Sequence, residues 1–189
     1  MAAKESTSSQ NIATACIKVV ENILKQKSIL AFTKDPESVQ RDIIEYDSRM
    51  RVFGMEKFNG PCFMSVINYY FSQEDLKNHK ACGAFIFYVE ESCAGKLLKA
   101  LGFKGFDDED EAAVLKICGE FCEVLAGEYK NELSNVGYKD LVLSAPTNYH
   151  NVVPEGVEFS YDEYVKYEMS FHLWKQKAVV VDITMKSLG

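Results

Sequence analysis

The chain has 189 residues, 47% of them hydrophobic and 26% charged, with only 11 glycines and 4 prolines. Those proportions exclude collagen-like and low-complexity chains and fit one folded domain with a core of its own. With 28 acidic against 21 basic residues the formal charge is -7, which argues against nucleic acid or an anionic membrane surface as partner.

The opening MAAKESTSSQ is polar and lacks the apolar stretch of a secretory signal, so residues 1–10 read as a flexible start and 11–189 as a single domain. No run approaches the roughly 20 apolar residues that span a bilayer. The six cysteines, Cys16, Cys62, Cys82, Cys93, Cys118 and Cys122, form no C-x-x-C pair, and the expectation is reduced thiols in the cytoplasm. Cys118 and Cys122 are one helical turn apart, but His79, His150 and His172 supply no further zinc ligands nearby in sequence. Buried thiols acting as small hydrophobes are expected, with no metal site.

From Asn11 to Lys27 apolar residues recur at three- and four-residue steps (Ile12, Ala15, Cys16, Val19, Val20, Ile23, Leu24), the pattern of an amphipathic helix. A short apolar piece, 28–32, leads into the charged 34–47 stretch with Pro36, which reads as a loop or a solvated helical excursion. Three runs rich in aromatic and β-branched residues, 50–58, 62–71 and 82–90, predict antiparallel strands, with breaks at Asn59-Gly60-Pro61 and at the polar 73–80 stretch. A helix is predicted over 92–101, ended by Gly102. The acidic run Asp107 to Glu111 lacks the glycine and alternating ligands of a calcium loop and sits where carboxylates suit the positive end of a following helix.

That helix, about Asp110 to Leu133, has two faces. Leu115, Cys118, Cys122, Leu125, Tyr129 and Leu133 fall on one side, and Lys116, Glu120, Glu123, Gly127 and Lys130 on the other. Glu120 and Glu123 are neighbours at i,i+3, and Gly127, one turn on, leaves room for another protein's backbone. Strands are predicted at 140–144, 164–174 and 177–186, so both halves of the chain run from helix to strands. A pseudo-duplicated α+β fold follows, an antiparallel sheet packed against long helices.

The stretch Gly119-Glu120-Phe121-Cys122-Glu123-Val124-Leu125-Ala126-Gly127, continuing through Lys130, Leu133, Gly137-Tyr138 and Leu143-Ser144-Ala145-Pro146-Thr147, resembles the signature region of the CheX/CheC/FliY chemotaxis phosphatases, CheX above all. The resemblance implies a CheX/CheC-like fold and an enzyme that removes phosphate from the aspartyl phosphate of a CheY-type response regulator. It also implies a homodimer, since CheX relatives pair through sheet edges and the long apolar runs here would leave edges exposed. No cofactor of its own is implied; the receiver brings Mg2+. In the family's Glu-x-x-Asn motif, the glutamate pairs with the receiver's lysine and the asparagine holds the attacking water. Glu120 matches the glutamate, but the asparagine position holds Glu123. An amide donates and accepts hydrogen bonds, whereas a carboxylate only accepts and adds negative charge. The resemblance thus makes Glu120 and Glu123 the candidate catalytic residues and Lys116, Gly127 and Lys130 the partner-binding ones. The first helix has no second copy of the motif, because Leu24 stands three residues after Glu21. The alternative is a signalling adaptor of the same fold that binds a receiver or another partner without hydrolysis.

Overall fold

The computed structural model describes residues 2–27 and 32–188, with side chains at 11–26 and 32–188. Helix α1 (Ala2–Lys27) begins ahead of the expected Asn11, and its periodic stripe is buried from Ile12 to Leu24. Of the 28–32 piece, 28–31 lie outside the described residues. Strand β1 (Phe32–Asp42) occupies most of the charged stretch expected to be a loop or helix. It is an edge strand whose side chains are nearly all exposed, so no alternation marks it; its backbone ladder to β8 makes it a strand. Two-residue strands β2 (Glu45–Tyr46) and β3 (Arg49–Met50) form a separate small hairpin.

The strand expected at 50–58 is not formed. Met50 and Val52 turn into a small core, and a short helix, α2 (Met55–Phe58), follows. At Gly54 a Cβ would stand 2.5 Å from Cys62 Sγ, so the chain passes too close to the next strand for a side chain there. Strand β4 (Cys62–Tyr70), helix α3 (Gln73–Lys77) within the polar connection, strand β5 (Gly83–Glu90) and helix α4 (Glu91–Ala100) come next. Helix α5 (Glu111–Asn135) is capped by Asp110, whose side chain accepts from the backbone N–H of Ala112 and Ala113. The acidic run therefore does include a helix cap. Strands β6 (Val142–Leu143), β7 (Thr147–His150), β8 (Val165–Leu173) and β9 (Gln176–Met185) complete the chain.

Among the described residues, seven strands form one antiparallel sheet in the order β1-β8-β9-β5-β4-β6, with β7 also pairing β4. The apolar runs β5 and β9 are interior strands, which corrects the expectation that they leave exposed edges. Alternation sorts the side chains. Phe63, Ile67, Phe85, Phe87, Val181 and Met169 face α1, α4 and α5 in the main core. Cys62, Met64, Val66, Ile86, Tyr88 and Val180 face the other way, into a smaller core closed by Met50, Val157 and Phe159. All six cysteines are free and buried.

Beside the smaller core lies a buried charge cluster. Asp182, fully buried, accepts from Lys57 Nζ at 2.9 Å through each carboxylate oxygen, from Lys166 Nζ at 2.7 Å and from Tyr88 OH at 3.2 Å. Lys57 also donates to Glu168. Burial works to lower the Lys57 pKa, but Asp182 and Glu168 outweigh it and hold it above the ordinary 10.5. A raised folded-state value means that the contribution is complete below 10.5 and lost as pH climbs through the folded pKa. Asp182→Asn, which takes from Lys166 its carboxylate partner and leaves Lys57 with Glu168 alone, is expected to lower stability by about 3–5 kcal/mol in urea unfolding. A loss below about 1 kcal/mol would contradict the burial of this cluster.

Candidate functional site

Helix α5 crosses the main-core face of the sheet, and three contacts fix its rotation. Tyr69 OH, on β4, donates to the Ala126 carbonyl at 2.8 Å, and Tyr129 OH donates to the Ile12 carbonyl of α1 at 3.1 Å. Phe121 meets Phe87 and Phe103 edge-on, at 5.5 and 6.2 Å between ring centroids. At Gly119 a Cβ would stand 2.4 Å from Asn148 Nδ2, so a side chain there would displace the Asn148 amide that packs against the helix. The start of α5 is held by His150, which stacks on Phe63 at 4.2 Å and bridges Glu91 of α4 (2.6 Å) and Glu111 of α5 (3.1 Å). The hydrogen bond from His150 is the main cause holding the Glu91 carboxyl below its usual pKa.

With that rotation, Val114, Cys118, Cys122, Leu125, Tyr129 and Leu133 are buried, while Lys116, Glu120 and Glu123 are exposed. Gly127 and Lys130 are half-buried on the same outward side. The five residues expected on the outward face thus share it. Lys116 Nζ lies 3.8 Å from Glu120, an exposed i,i+4 pair worth at most a few tenths of a kcal/mol. Glu120 is therefore cheaply released to another cation. A Cβ built on Gly127 would meet nothing within 4 Å, so nothing in the chain itself requires glycine there.

Beside Glu123 an open groove runs between α5 and the β6 segment. Glu123, Val124, Gly127 and Lys130 line one wall, and Leu141, Val142 and Leu143 the other. Two neutral amides, Gln73 at the start of α3 and Asn131 on α5, also line it, and the sequence pattern did not mark them. Val124, 38% exposed, adds an apolar contact on this face that helical periodicity alone could have flagged. Cys118 and Cys122 point the opposite way. Burial pushes the Cys118 thiol up to about 12 and the Cys122 thiol higher, and Cys122 Sγ donates to the Ser65 carbonyl at 3.7 Å. Both behave as buried neutral thiols.

Neither a family model nor a curated protein sequence matches the chain. Solved structures do match. CheX from Desulfovibrio desulfuricans aligns with a TM-score of 0.60 and 14% identity over 93% of this chain and 99% of its own. A chain of the CheX–CheY–beryllofluoride–Mg2+ complex from Borrelia burgdorferi aligns at 0.55 and 13%, over 93% and 98%. FliY from Thermotoga maritima gives 0.59 and 12%, over 95% and 90%. Across nearly the whole chain the fold is the CheX/CheC-like α+β fold.

Proposed function

We propose that this chain docks on the phosphorylated receiver domain of a CheY-type response regulator through the outward face of α5 and speeds loss of its aspartyl phosphate. The supporting observation is the paired exposure of Glu120 and Glu123 beside the open surface at Gly127, on a fold shared with a CheX solved with CheY. Phosphoryl transfer asks mainly for positioning and charge stabilisation, which two carboxylates on a rigid helix can supply. Glu120 leaves Lys116 and pairs with the receiver's lysine. Glu123 accepts a hydrogen bond from the attacking water and takes its proton as general base. Lys116 and Lys130 pair with acidic groups of the partner, and the partner carries the Mg2+.

Glu123 also exacts a penalty. At about 5 Å and an effective dielectric of about 20, a carboxylate and a phosphoryl charge repel by roughly 3 kcal/mol. Expressed wholly in the transition state, that slows hydrolysis on the order of a hundredfold. The same residue favours a second reading, a non-catalytic adaptor that binds the receiver and leaves its phosphate in place. Both readings put the chain in the cytoplasm as a homodimer. Pairing through the free edge of β1 would have to accommodate Pro36 and the strand's charges, and a monomer in sedimentation would remove the dimer.

Excess protein is expected to shorten the phosphate lifetime of its cognate receiver; binding with an unchanged lifetime would establish the adaptor instead. Glu123→Asn removes a repulsion worth up to about a hundredfold together with the general base, so a fall in rate is expected if Glu123 takes the water's proton, and a rise would assign the water to positioning alone. Gly127→Ala is expected to stabilise the free protein by about 0.5–1 kcal/mol, because only the helix cost of glycine is relieved, and to weaken receiver binding by crowding the interface. Unchanged affinity would place Gly127 outside the contact.

A further inference from the structure

On the sheet face opposite α5, a pocket opens over the buried charge cluster. Arg41, Arg51, Lys57, Lys166 and Lys177 line it together with Asp42, Glu56 and Glu168. Asp182 lies beneath, taken by Lys57 and Lys166. Counting Asp182, five cations face four carboxylates, a local surplus of one positive charge on a chain of net charge -7.

The distribution of partners matters more than the count. Lys57 uses its three donors on Asp182 and Glu168. Lys166, nine-tenths buried, makes one hydrogen bond, to Asp182, although an ammonium carries three donors. Two of its N–H groups therefore have no protein acceptor among the described residues. Arg41 reaches Glu168 only at 3.7 Å, and Arg51 and Lys177 form no ion pair among the described residues. Lys166 lines the pocket, so an acceptor entering it can take these unused donors. The pocket wall also carries Phe53, half-buried, and Ile44, 61% exposed, an apolar surface beside the cations.

We propose that this pocket binds a phosphorylated small molecule. Lys166, Arg51 and Lys177 hold its phosphate oxygens, and Phe53 and Ile44 support the organic part. Phosphate fits because its several acceptor oxygens can take the free Lys166 donors and an arginine fork together. Asp42 and Glu56 on the rim oppose excess negative charge, so a monophosphate is favoured over longer polyphosphates. The site lies on the other side of the sheet from α5 and does not depend on receiver binding.

Isothermal titration calorimetry of the full chain with AMP and with inorganic phosphate tests this. AMP is expected to bind, inorganic phosphate to bind at least about tenfold more weakly for want of the organic contact, and both to weaken at high salt. Arg51→Glu combined with Lys177→Glu changes two side chains outside the cores and is expected to leave the thermal unfolding midpoint unchanged. It should weaken AMP binding at least about tenfold, the scale of one charge-assisted hydrogen bond. Absence of AMP binding at millimolar concentration, equal affinity for AMP and inorganic phosphate, or full AMP binding by the double variant would overturn the proposal.

Discussion

The rotation of α5 about its own axis governs what the chain can present to a partner. It is set from beneath, by the Tyr69 hydroxyl on the Ala126 carbonyl, by Phe121 held edge-on to Phe87 and Phe103, and by the bare backbone of Gly119 over Asn148. Shifting the helix by one residue turns it by about 100° and would drive a carboxylate toward the core while exposing an aromatic ring. The outward placement of Glu120 and Glu123 is thus a by-product of core packing. Core packing sets where these two carboxylates sit on the surface.

The sheet separates two kinds of environment. On one side, long helices cover a continuous apolar core; on the other, a smaller core shares the surface with Asp182, Lys57, Lys166 and Glu168. The residues alternate strand by strand, so Val181 and Asp182 are neighbours in the chain and face opposite worlds. Net charge says little about either. Helix α5 carries five acidic and two basic residues, whereas cations outnumber carboxylates in the pocket over Lys166.

The helices were legible because burial on one face imposes a 3.6-residue period, and α1 and α5 both follow it. Strands β4, β5, β8 and β9 were legible as dense aromatic and β-branched runs. Strand β1 was not, because an exposed edge is held by its backbone ladder and leaves no hydrophobic pattern. Residues 50–58 misled for the converse reason: Met50 and Val52 are buried through a turn, an apolar pair with no strand around it. Strand β7 is short and polar, with Pro146 just before it, and only its pairing with β4 reveals it. The outward face of α5 was readable from periodicity, and its resemblance to a Glu-x-x-Asn motif came from the residues themselves. Gln73 and Asn148 reach α5 from distant segments, and the Lys57–Asp182 pair joins residues more than a hundred positions apart, so no local pattern could carry them.

The proposed docking surface for an activated receiver is the outward face of α5. The most direct test is an NMR titration of the isotope-labelled chain with its cognate CheY-type receiver activated by beryllofluoride and Mg2+. Amide shifts are expected to centre on Lys116, Glu120, Glu123, Gly127 and Lys130 and to grow with activation of the receiver. Shifts confined to the opposite face of the sheet, or none at saturating receiver, would contradict it.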